Sequence, residues 1–156
     1  MNLLTKLLIG ASAVTGITYL IKLRRTNAEL ETIATAKIHK LDLSALTIRV
    51  DVQIKNPTKS SLKIKYPFVK IVYQDSTIGS SQSISKDIEI PAFGQAQINA
   101  IMIQIPLLRL LSFGKSVLKA IQDNAGIKIQ QKTISTIDLG LKSVPYEKTE
   151  ELTLKK

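Results

Sequence analysis

The stretch Leu46-Thr47-Ile48-Arg49-Val50-Asp51-Val52-Gln53-Ile54-Lys55-Asn56-Pro57-Thr58 alternates with a period of two. Leu46, Ile48, Val50, Val52 and Ile54 share one face, and Thr47, Arg49, Asp51, Gln53 and Lys55 share the other. In an extended chain successive side chains point to opposite faces, so the pattern predicts a long strand with one buried and one wet side. The inner-face residues are mostly β-branched, which suits a pleated, half-buried surface. Asn56-Pro57 stops the ladder, because proline has no N–H to donate and pushes its predecessor toward extended or turn geometry. Val50 is thereby assigned to the core and Arg49 to solvent.

Working outward, strand patterning starts around Ala34–His39, and a polar connection through Lys40, Asp42 and Ser44 leads into the long strand. After Thr58, Lys59-Ser60-Ser61 reads as a turn, Leu62–Lys65 alternates again, Tyr66-Pro67 breaks it, and Phe68–Tyr73 resumes. Asp75-Ser76-Thr77 with Gly79 reads as a hairpin region. Ile84, Ile88 and Ile90 mark an extended stretch ending at Pro91-Ala92-Phe93-Gly94. The next strand holds Ala96, Ile98, Ala100 and Met102 in one phase, then Ile101, Ile103 and Ile105 in the other, which predicts a bulge or two-sided burial. Leu107, Leu110, Leu111, Val117, Leu118 and Ile121 recur at three and four, the stripe of a single amphipathic helix. Asn124 and Gly126 stop it, Ile127–Ile137 is extended, Gly140 turns the chain, and Leu152–Leu154 reads as a last edge strand. Pro57, Pro91, Gly79 and Gly94 are placed where strands stop or turn. The fold class expected is mainly β: an antiparallel β-sandwich of about seven or eight strands with one late α-helix over residues 34–156.

The first segment differs in kind. Residues 3–23 carry no charge apart from Lys6 and Lys22 and are mostly apolar, and Arg24-Arg25 follow. From Leu3 to Leu23 a helix would be roughly 32 Å long, enough for one crossing of a hydrocarbon core of about 30 Å. Lys6, Lys22, Arg24 and Arg25 then flank the membrane, with the lysine stems reaching toward the headgroups. The expected organisation is a membrane anchor over 1–25, a stalk over 26–33 and the sandwich beyond. A cleaved signal peptide is the rival, since Ala11-Ser12-Ala13 resembles a cleavage site, but cleavage there leaves a very short apolar core. The basic residues after the run lean toward a cytoplasmic body by the positive-inside tendency.

Charge and composition bound the chemistry. With Lys+Arg at 22 and Asp+Glu at 12, the net charge is +10. That field favours anionic surfaces such as lipid headgroups, although a lysine-rich solvated face has the same composition. Trp is absent and the Phe and Tyr residues are dispersed, so no aromatic interleaving points to nucleic acid. Without cysteine there is no disulfide or thiolate metal site, and His39 is the only histidine, so no metal set or nucleophile–base pair is suggested. Phe113-Gly114-Lys115-Ser116 resembles the tail of a phosphate-binding loop, but Arg109 stands where that motif needs a glycine. Asp87 with Glu89, and Glu147 with Glu150, read as solvated strand-edge charges that discourage aggregation rather than as an acid–base pair. No catalytic residue, cofactor or metal is expected.

These residues resemble a known family. The alternating strand ending at Asn56-Pro57, followed by Leu62-Lys63-Ile64, Tyr73, Gly79 and Ile90-Pro91-Ala92-Phe93-Gly94, looks like the late embryogenesis abundant (LEA) type 2 domain, also called WHy for water stress and hypersensitive response. One departure is Lys40-Leu41-Asp42, where the family pattern has a glycine before the long strand. The resemblance implies a β-sandwich with one helix, an association with stress or desiccation tolerance, and no shared catalytic residues. The function expected is therefore a non-enzymatic, membrane-anchored binding or protective module, with the lipid bilayer as partner through residues 3–23. The alternative is a structural subunit of a membrane-associated assembly with protein partners, including a membrane-containing virion.

Overall fold

A computed structural model describes residues 30–156 of the chain. The membrane-span expectation, with Lys6, Lys22, Arg24 and Arg25, lies outside the described residues. Among those described, no helix is long and apolar enough to cross a membrane. The strands are β1 (Glu31–Leu41), β2 (Ala45–Lys55), β3 (Leu62–Lys65), β4 (Phe68–Tyr73), β5 (Ser76–Ser80) and β6 (Asp87–Ile90). Then come β7 (Gln95–Pro106), helices α1 (Leu107–Leu111) and α2 (Lys115–Gln122), β8 (Ile127–Asp138) and β9 (Ser143–Leu154).

β2 is the centre of a three-stranded antiparallel sheet in the order β1-β2-β7. Its inner face buries Leu46, Ile48, Val50, Val52 and Ile54, none more than 1% exposed. Its outer face is half-buried rather than wet, because neighbours on both sides crowd the central strand. Arg49 Nε accordingly lies 3.2 Å from Asp51 Oδ1 instead of extending into water.

The second sheet is six-stranded and organised by β8. One edge of β8 pairs with the full length of β9. Its other edge takes β4 opposite residues 130–134 and β3 opposite Ile137 and Asp138, so β3 and β4 lie end to end with Tyr66-Pro67 as the break. β6 and β5 flank them in the same broken fashion. The inner faces of the two sheets close over one core of Val, Ile and Leu side chains. The sheets also meet along their edges: Ile38 N–H donates to the Lys155 carbonyl at 2.8 Å, joining β1 to β9, and β5 lies against β7. The result is a sandwich curled into a half-barrel.

The predicted bulge is present. β7 slips register opposite Asp51, where Ala100 has a positive φ of 58° and its N–H donates to Asp51 Oδ1 at 2.7 Å. That extra residue lets Ile98 and Ile101 both face the core although they are three apart. The first turn needs no glycine, because Asp42 Oδ1 accepts hydrogen bonds from the Ser44 N–H, the Ser44 hydroxyl and the Ala45 N–H. Those donors, the Ser44 hydroxyl first, hold the Asp42 carboxyl far below its ordinary range.

Three expectations need correction. There are nine strands among the described residues rather than seven or eight, since the hairpin region holds a strand of its own, Ser76–Ser80, and the last strand runs from Ser143 through Pro145 to Leu154 rather than over 152–154 alone. The late helix is two helices: Gly114 takes a φ of 103°, outside the helical region, and Phe113 turns to meet Tyr73 edge-on at 5.2 Å. Gly79 is neither a stop nor a turn but sits within β5, where a Cβ would come within 2.8 Å of Ile105 Cγ1. The β4–β5 turn is made instead by Gln74 and Asp75, both at positive φ, as two-residue hairpin loops require.

Candidate functional site

Register places several loops at one end of the molecule. Glu31 at the start of β1 is opposite Lys55, and Lys55 is opposite Gln95. In the other sheet Leu62 is opposite Ile90, and Lys63 is opposite Asp138 just before the β8–β9 turn. This end is also where the chain arrives from residues 1–29.

Asn56 ties the two sheets together there. It is 1% exposed, and its backbone N–H donates to the Gly94 carbonyl at 2.8 Å. Its side-chain Nδ2 donates to the carbonyls of Ser60, Ile90 and Pro91 at 2.8, 3.3 and 3.0 Å. Its Oδ1 accepts from the Thr58 N–H and hydroxyl at 3.0 and 2.7 Å. The Phe93 N–H donates to the Thr58 carbonyl at 3.0 Å, and the Gly94 N–H closes a tight turn onto the Pro91 carbonyl at 2.9 Å. Gly94 leaves room for that turn, since a Cβ would press on Pro91 at 3.1 Å. Pro57, which has no N–H to donate, ends the ladder immediately after Asn56. Asn56, Pro57, Pro91 and Gly94 thus form one clamp, whereas Gly79 lies away from it against β7. The turn it holds points outward: Phe93 is 69% exposed, with a φ of 54°.

A second constellation lies at the β1–β9 seam. The Thr32 and Tyr146 hydroxyls hydrogen-bond to each other inside the protein. Four residues along β9 from Tyr146, Glu150 stands opposite Gln131, which is fully buried. Burial raises the Glu150 carboxyl above its ordinary value, against the opposing pull of the Ala34 N–H and of Lys148. Gln131 Oε1 and Glu150 Oε2 are buried and without a hydrogen-bond partner among the described residues. Glu150 is therefore not the solvated strand-edge charge expected from sequence, while its neighbour Glu147 is exposed and lies 3.8 Å from Lys132. Nothing in the local sequence distinguishes the two, because the difference arises from β1 docking against β9. Asp87 pairs with Lys65 on the exposed face of β6 and β3. His39 is an exposed strand residue.

Among the described residues, a recess of about 230 Å³ is lined by Asp75, Lys128 and Glu151, and a groove of about 440 Å³ lies between β5 and β7, where Ser81, Gln82, Ile84 and Met102 meet. The walls of the groove carry no carboxylate or cation. Among the described residues no group of acidic, histidine or cysteine side chains is arranged to hold a metal ion.

The class defined by these features is a two-sheet antiparallel β-sandwich with a helical insertion before its last two strands. A crystal structure of a protein from Archaeoglobus fulgidus shares this fold, with a TM-score of 0.52 and 12% identity over 82% of this chain and 98% of that one. A solution structure of an Arabidopsis thaliana protein aligns with a TM-score of 0.47 and 16% identity, over 82% of this chain and 83% of that one. A candidate late embryogenesis abundant protein, also solved in solution, aligns with a TM-score of 0.38 and 16% identity over 96% and 88% of the two chains. At scores below one half, the last two bear on neither fold nor function. No family model matches the sequence, and no curated protein does either.

Proposed function

We propose that this chain is a non-enzymatic binding or protective module of the LEA type 2 kind, held at a membrane by residues 3–23. The observation that carries the reading is the clamp at the end of the sandwich. Two of the segments on which the family resemblance rests, Asn56-Pro57 and Ile90 through Gly94, interlock through hydrogen bonds into one unit. A motif spent on architecture fits a protein whose function is a presented surface rather than a reaction. The apolar run ends seven residues before Leu30, so the folded body follows its anchor almost directly. A net charge of +10 adds attraction to anionic headgroups.

Fractionation tests the anchor. Full-length protein should stay with membranes through high salt and alkaline carbonate, and a chain starting at Asn27 should be soluble and folded. Surface adsorption is screened within about 8 Å at physiological ionic strength, so release by salt would contradict insertion. An intact mass lacking the first segment would establish the signal-peptide rival instead. The protective role is tested by drying a labile enzyme with the Asn27 chain. Retained activity no better than with an unrelated protein would remove that role.

A further inference from the structure

Phe93 is exposed in a place where packing gives no reason for an aromatic residue. A bulky side chain at positive φ is a backbone outlier, and such strain persists only where the surroundings over-determine it. Here the surroundings do so: Thr58 and Pro91 hold both sides of the turn, and Asn56 holds those two loops together. The clamp therefore presents Phe93 rigidly at the end of the molecule. In the same register, two strands away from the β6 exit, the β8–β9 turn carries Leu141 at 91% exposure. At a strand spacing of about 4.8 Å the ends of β6 and β8 that lead into these two turns lie roughly 10 Å apart.

The surroundings of these tips are basic. Lys142 is exposed beside Leu141, and Lys59 is exposed on the β2–β3 loop, next to the Thr58 whose carbonyl accepts the Phe93 N–H. Of the nearby carboxylates, Glu31 lies 3.6 Å from Lys55, Asp138 Oδ1 accepts the Gly140 N–H, and Glu89 projects from β6. Apolar tips with exposed lysines beside them match the boundary between anionic headgroups and acyl chains. Chain length limits where this end can be. Seven residue steps separate Leu23 from Leu30, a reach of at most about 25 Å even when fully extended.

We propose that the end of the sandwich bearing Phe93, Leu141, Lys59 and Lys142 rests on the lipid surface, with Phe93 and Leu141 inserted at the headgroup level. The inference rests on the anchor reading, because the tether holds this end near the bilayer. The opposite end also exposes Leu43 and Leu108, but it is a full strand length away, about 35 to 40 Å for twelve residues. Leu43 is therefore an internal control of equal apolarity.

The chain has no cysteine, so single cysteines label cleanly. Full-length Phe93→Cys, Leu141→Cys and Leu43→Cys are coupled to a small fluorophore and reconstituted into phosphatidylcholine–phosphatidylserine vesicles with nitroxide-bearing lipid. Fluorescence at positions 93 and 141 should fall about twofold or more relative to nitroxide-free vesicles, with little change at position 43. Protein that floats with the vesicles but is quenched no more at 93 and 141 than at 43 overturns this inference and leaves the anchor standing. Protein that does not float overturns the anchor and this inference with it. Leu141 reports independently if labelling at the strained Phe93 position disturbs its turn.

Discussion

Asn56 shows how much of this architecture rests on a single amide. Its Nδ2 serves three carbonyl oxygens while its Oδ1 receives two donors from Thr58. An asparagine is needed because one side chain must present both donors and an acceptor at a site 1% exposed. Asn56→Ala leaves buried backbone carbonyls without donors and should cost about 2 to 4 kcal/mol in urea unfolding. Asn56→Asp is nearly isosteric and keeps the Thr58 bonds, yet it turns a carboxylate toward three carbonyl oxygens. It should destabilise at least as much as the alanine variant near neutral pH. An aspartate variant close to wild-type stability would show that Thr58, not the three carbonyls, is what the residue is for. The sequence singled out Asn56-Pro57 as a strand exit, but the partners at residues 90–94 lie too far along the chain to be read from spacing.

At the scale of the element, β7 carries a strain that its sequence disclosed in advance. The switch of apolar phase near Ala100 required an extra residue, and Asp51 on β2 accepts the N–H that the slip leaves over. Because Ala100 is exposed at positive φ, Ala100→Gly removes a penalty without opening a cavity and should stabilise by up to about 1 kcal/mol. Asp51→Ala should lower the urea midpoint, since both the Ala100 N–H and Arg49 lose their partner. Opposite results from either variant would place the bulge elsewhere. Strands with strict alternation, such as β2, were legible because one face is buried and a one-residue slip would expose it. The helix break was not, because the spacing of three and four carries across Ser112–Gly114, and the turn there combines the positive φ of Gly114 with the contact of Phe113 with Tyr73 on another strand. Gly79 was misplaced for the same reason: its constraint is the approach of β7, which is remote in sequence.

For the whole molecule, the decisive contact is between the first and last strands. β1 and β9 are far apart in the chain, and their seam is held by the Thr32–Tyr146 hydrogen bond and the Ile38–Lys155 backbone bond. Glu150 sits in the same seam with its carboxyl raised above the ordinary 4.5, chiefly by burial. The sign of the resulting pH dependence follows from proton binding. The folded protein holds this proton more tightly than the unfolded chain does, so the contribution is fully present below the ordinary carboxyl value and is lost as pH rises through the folded value. At neutral pH Glu150 therefore weakens the seam. Glu150→Gln keeps an acceptor for the Ala34 N–H and carries no charge to desolvate, so it should raise stability at neutral pH. That gain should vanish in acid below 4.5, where the wild-type carboxyl is itself neutral. Urea unfolding of both proteins across that range measures it. Amide exchange at Ala34 and Ile38 should slow in the variant at neutral pH if the seam is what tightens. A stability difference that does not change with pH would mean that Glu150 is solvated and that β1 docks on β9 through Tyr146 and the backbone alone.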